Sequence, residues 1–90
     1  MQEEITTNAM TKKEDIVRIV NGFLVEDFEI PVEKLIPTAR LREDVGIDSL
    51  DVVDVIISVD EKFGVRLTNQ EMASLRTLDD FYNLIVTKMP

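Results

Sequence analysis

Three times along this chain a threonine stands three residues ahead of a carboxylate, each time at the edge of apolar residues spaced three and four apart: Thr11 with Glu14, Thr68 with Glu71 and Thr77 with Asp80. This arrangement starts a helix. The hydroxyl accepts the N–H of the third helical residue, and the carboxylate reaches back to the threonine's own N–H. The first box opens a segment with Ile16, Ile19, Val20, Phe23 and Leu24 on one face, which predicts a helix over about 11–27. The ten residues before it are expected to be a flexible N-terminus, leaving 11–90 as a single domain. Thr68 predicts a short helical turn through about Ser74. Thr77 predicts a last helix with Leu78, Phe81, Tyr82, Ile85 and Met89 on its buried stripe, before Pro90 ends the chain. No stretch alternates at strand period.

Between the first box and the other two lies a long connection, Ile30 to Ile47, interrupted by Pro31 and Pro37. A connection of this length carries either function or a hidden turn, and Val32–Ile36 can form one. Its scattered apolar residues Leu35, Ile36, Leu41 and Val45 are expected to pin it to the core. The predicted fold is therefore all-α: a small four-helix bundle of three main helices and one short helix, with a long first loop.

Composition narrows the chemistry. The 90 residues contain no cysteine and no histidine, so disulfides, thiolate and imidazole metal sites and the Ser-His-Asp triad are all absent. No metal site is predicted: Asp44, Asp48, Asp51 and Asp54 lack the alternating spacing of a calcium loop. Carboxylates remain, but catalysis by this chain alone is not expected. A formal net charge of −8 disfavours nucleic acid and anionic membranes and favours basic protein patches. No run is long and apolar enough for a membrane span, and Glu3 and Glu4 stand where a leader would carry basic charge. A cytoplasmic monomer is expected.

The helix after Gly46 holds most of the information. Asp48 is suited to cap it, Ser49 would be its first residue, and Asp51 would complete an acidic first turn that the helix dipole favours. Gly64 supplies a stop after Phe63. At 100° per residue, Val52, Val55, Ile56, Val59 and Phe63 share one core-facing arc, while Leu50, Val53 and Ile57 point the other way. From Glu43 to Glu61 there are seven acidic residues and no basic one. Apolar residues among like charges on an outward face make a docking surface. The competing reading packs Leu50 and Ile57 beneath the long loop and leaves the acids as a solvated face. Ser49 likewise has two readings: an ordinary helix-start serine, or a hydroxyl freed by Asp48 for a phosphoester at the dipole-positive end.

The run Glu43-Asp44-Val45-Gly46-Ile47-Asp48-Ser49-Leu50 resembles the phosphopantetheine attachment motif of the acyl carrier protein family. Glu61-Lys62-Phe63-Gly64 and Arg76-Thr77-Leu78-Asp79-Asp80-Phe81 resemble the family's helix ends as well, so the likeness covers about residues 11–87. The resemblance implies that Ser49 receives a covalent 4′-phosphopantetheine arm from coenzyme A through a phosphopantetheinyl transferase. Asp48 would guide the transferase and its magnesium ion, and acyl intermediates would ride on the arm as thioesters. Leu50, Asp51, Asp54, Ile57, Asp60 and Glu61 would face acyl-transferring and synthase enzymes with basic docking patches. Fatty-acid or polyketide-type synthesis is the implied setting. A peptidyl, aryl or D-alanyl carrier with an aminoacyl cargo is the alternative, and an interaction domain without an arm is a third.

Overall fold

A computed structural model describes the backbone of residues 2–89 and the side chains of residues 13–89. Its helices are α1 (Gln2–Phe28), α2 (Ser49–Phe63), α3 (Asn69–Ala73) and α4 (Leu78–Lys88), and there is no strand among the described residues. Three of the four are long and one is a short turn, as expected of the all-α bundle.

Two capping boxes form as read. Thr68 Oγ1 accepts the Glu71 N–H at 3.0 Å, and Glu71 Oε1 accepts the Thr68 N–H at 2.9 Å. Thr77 Oγ1 accepts from Asp80, whose Oδ2 takes the N–H groups of both Arg76 and Thr77. These backbone hydrogen bonds hold the Asp80 carboxyl below its ordinary range. An ion pair with Lys88, ahead of the Thr68 bond, does the same for Glu71, and at 2.6 Å it also ties α3 to the end of α4.

The first box is a correction. The helix begins at Gln2 rather than Thr11, so Thr11 sits inside α1 instead of capping it. Residues 2–10 contain no proline or glycine and begin with Glu3 and Glu4, which suit the positive end of a helix, so nothing local stops α1 from starting early. The Thr11 side chain, Pro90 and the side chains of residues 1–10 lie outside the described residues.

The core is built from α1 and α4, with α2 packed against α1 and α3. Val20, Leu24, Val55, Val59, Leu78, Phe81 and Ile85 are fully buried at its centre, and Ile16, Phe23 and Tyr82 close it. The described core contains no buried charged residue. The Tyr82 hydroxyl is satisfied by donating to Asn21 Oδ1. Lys13 and Asp79 clamp α1 to α4 at 3.1 Å. On α2 the predicted stripe is only partly enclosed: Val55 and Val59 are buried, while Val52, Ile56 and Phe63 are half-buried. The bundle around it is too small to cover the whole arc.

The long connection is ordered by its own short turns. Val32–Lys34 is a 3-10 turn inside the stretch expected to hold one. Leu35, Leu41 and Val45 are buried and pin the loop, but Ile36 is 52% exposed and does not. Ala39, whose small side chain gave no sequence signal, is buried instead, because it lies where the loop passes α4. Its carbonyl accepts the Leu78 N–H at 2.8 Å, and Leu41 N–H donates to Arg76 O at 2.9 Å. These bonds make an isolated antiparallel bridge between Arg40 and Thr77 that stitches the loop to the start of α4.

Candidate functional site

The approach to α2 is a wide π-type turn, Leu41–Val45, in which Val45 and Gly46 donate five residues back to Arg40 O and Leu41 O at 2.9 and 3.0 Å. Asp44 Oδ2 braces the turn by accepting the Arg40 N–H at 2.8 Å. Gly46 ends it at φ +92°, a left-handed conformation that a side chain would strain. Ile47 then anchors the chain in the core, which leaves Asp48, Ser49 and Leu50 exposed at the mouth of α2.

Asp48 caps the helix as expected. Its Oδ1 accepts from Leu50 N–H at 3.0 Å and from Asp51 N–H at 3.1 Å. Asp51 Oδ2 returns the bond to Asp48 N–H at 3.3 Å, so a third capping box, with aspartate in the threonine's place, starts this helix. The Asp51 carboxylate expected to face partners is thus engaged in the cap. Ser49 is the first residue of α2, exposed, and its hydroxyl takes no part in that cap. The terminal N–H groups and the dipole of α2 favour negative charge beside it.

Around the axis of α2, Leu50, Asp54, Ile57 and Glu61 fall on one stripe, with Val53 and Asp60 on one flank and Asp51 on the other. Leu50 is 83% exposed, Val53 54% and Ile57 49%, so the reading that buried Leu50 and Ile57 under the loop is overturned. Asp54, Asp60 and Glu61 are exposed beside them, and none forms an ion pair among the described residues. The structure therefore brings these residues together as an uncovered apolar and acidic face. Next to it, Ile57, Asp51, Asp54 and Ser58 face Asp27, Glu29 and Phe28 across a groove, which extends the acidic surface onto the end of α1.

The opposite flank of α2 opens on a cleft toward α3. Its volume is about 280 Å³, and Ser49 stands on its rim above Leu41, Ile47, Val52 and Met72. Sequence periodicity did not reveal this cleft. The short α3 that walls it holds only Met72 in the core, too little for a periodic pattern.

These features meet the demands of a phosphopantetheine arm. The Ser49 hydroxyl is exposed and outside the cap, the helix end suits a phosphodiester, the nearest carboxylates are engaged in the cap, and an apolar cleft adjoins Ser49. Residues 19–85 match the family profile described as phosphopantetheine attachment site. The acyl carrier protein of Thermosynechococcus vestitus is 32% identical over 75 residues, a stretch covering 83% of this chain and 93% of that protein. The chain belongs to the acyl carrier protein family. It is a carrier whose prosthetic group is a covalent 4′-phosphopantetheine, and proteins of this family work with synthases and transferases. Among the described residues no helix is long and apolar enough to cross a membrane.

Proposed function

We propose that Ser49 Oγ is the attachment point of the arm and that the chain carries acyl intermediates of fatty-acid or polyketide-type synthesis. The observation that carries this reading is the exposed Ser49 hydroxyl at the first position of α2, with the cap supplied wholly by Asp48 and Asp51. When bound, the group supplies a terminal thiol that holds the cargo as a thioester. The chain's own residues do the rest. Asp48 and Asp51 hold the helix start so that Ser49 projects into solvent. The α2 dipole offsets the phosphodiester charge. Leu50, Asp54, Ile57, Asp60 and Glu61 offer partner enzymes an apolar centre with an acidic rim, which suits basic docking patches. Asp48, beside the reacting hydroxyl, is placed to guide the transferase.

The acidic run Asp48-Ser49-Leu50-Asp51 and the stripe that follows it favour the acyl over the aminoacyl reading, since they suit basic docking patches. Incubation with coenzyme A and a phosphopantetheinyl transferase tests the attachment. Intact mass is expected to rise by one phosphopantetheinyl group in the wild-type chain and not in Ser49→Ala. Modification of Ser49→Ala, or none of the wild type under conditions that modify a known carrier, would overturn the assignment.

A further inference from the structure

Arg40, Arg42 and Arg76 line one open cavity of about 650 Å³ on the α3 side of the molecule, together with Glu43 and a floor of Ala73, Leu75 and Thr77. In a chain of net charge −8 such a concentration of positive charge is a local reversal of sign. All three side chains are exposed, and none forms an ion pair among the described residues. Glu43 is the one acid against three arginines in the lining, and the two acids that flank it are held to the backbone. Asp44 accepts the Arg40 backbone N–H at 2.8 Å, and Asp80 accepts the Arg76 and Thr77 N–H groups at 3.2 Å.

The cluster is also held in place. Arg40 pairs with Thr77 in the antiparallel bridge, and Leu41 N–H donates to Arg76 O at 2.9 Å, so arginines distant in sequence are joined through rigid backbone. Guanidinium forks match carboxylates in geometry and charge, and they repel the basic patches that the α2 stripe attracts. Arg42, Ala73 and Leu75 belong both to this cavity and to the cleft beneath Ser49, so the basic surface reaches the foot of α2.

We infer that the Arg40–Arg42–Arg76 surface is a second docking face, which takes a carboxylate-rich segment of a partner protein. Acid on one flank of α2 and base on the other then set the direction in which that partner sits over Ser49. This face needs no arm on Ser49, so its test stands apart from the mass measurement above.

The test titrates the isotope-labelled full chain with a short peptide of alternating aspartate and glutamate, followed by amide NMR. Saturable shifts are expected at residues 39–43 and 73–78, with those along the α2 stripe unmoved. The double variant Arg42→Glu/Arg76→Glu should weaken binding by about tenfold or more, whereas Arg42→Lys/Arg76→Lys keeps most of it. Added salt should weaken the wild-type interaction. The bridge uses backbone groups and the side chains are exposed, so these variants should fold; Arg42→Gln/Arg76→Gln is the milder substitute if reversal does not. Absence of saturable shifts at those amides, or equal affinity in the charge-reversed chain, overturns the inference. So does inorganic phosphate shifting the same amides with comparable affinity, since that would mark a small-anion site.

Discussion

Asp48 and Ser49 are neighbours with opposite duties, and substitution separates them. Asp48→Ala removes the acceptor of two first-turn N–H groups and should cost about 1 kcal/mol, as helix caps do. Ser49→Ala removes a hydroxyl outside the cap and should change stability by less than about 0.5 kcal/mol. Urea unfolding of both variants checks the contrast. Tyr82 gives a residue-scale prediction on pH. Burial pushes its phenol up to about 12, and nearby Asp79 adds to the shift. Since the folded group holds its proton more tightly than the unfolded one, its contribution is complete below pH 10. It is lost as pH rises from there toward 12. Tyr82→Phe should lose about 1 kcal/mol at neutral pH with the Asn21 hydrogen bond, and should flatten the alkaline loss. Unfolding at neutral and alkaline pH, with absorbance titration of the phenol, reads both. Asp51 shows the limit of reading one residue at a time. Its charge placed it with the partner face, but its reach back to Asp48 N–H makes it part of the cap.

At the scale of elements, α2 is bounded at both ends by local chemistry, Asp48 at its start and Gly64 at φ +69° after its end. Gly64→Ala should cost about 1 kcal/mol through backbone strain alone, because nothing crowds an added Cβ there. A lower urea midpoint with an unchanged slope would confirm that cause. These boundaries were legible in the sequence because caps and stops involve residues within a few positions of one another. The start of α1 was misread for the same reason. A capping box at Thr11 is a permitted start, and only the whole helix shows that the chain passes through it. Elements of five residues such as α3 cannot hold themselves. Met72 in the core and the Glu71–Lys88 ion pair secure this one from outside.

At the scale of the molecule, one apolar core carries α1, α2 and α4, so losses within it are felt everywhere. Phe81→Ala, at a fully buried position on α4, should cost about 3–5 kcal/mol, a large share of the stability of a domain this small. Thermal unfolding should then show a strongly lowered midpoint with all helices melting together. The same core decides which apolar residues stay outside. The 100° spacing of α2 separated Val55 and Val59 from Leu50 and Ile57, but two explanations for the latter pair remained open. The path of the long loop closed the question by leaving both exposed. That path also buries Ala39 rather than Ile36, a choice no hydrophobicity scale makes.

By itself the sequence determined the helical class, three of the four helix starts, the cap that frees Ser49 and the acidic stripe on α2. Each of these depends on hydrogen bonds and angular spacing between near neighbours along the chain. Only the tertiary structure decided the cleft beneath Ser49 and the arginine cluster across the Arg40–Thr77 bridge. Those features join residues remote in sequence, and their meeting is set by how the loop packs against α4 rather than by any local preference.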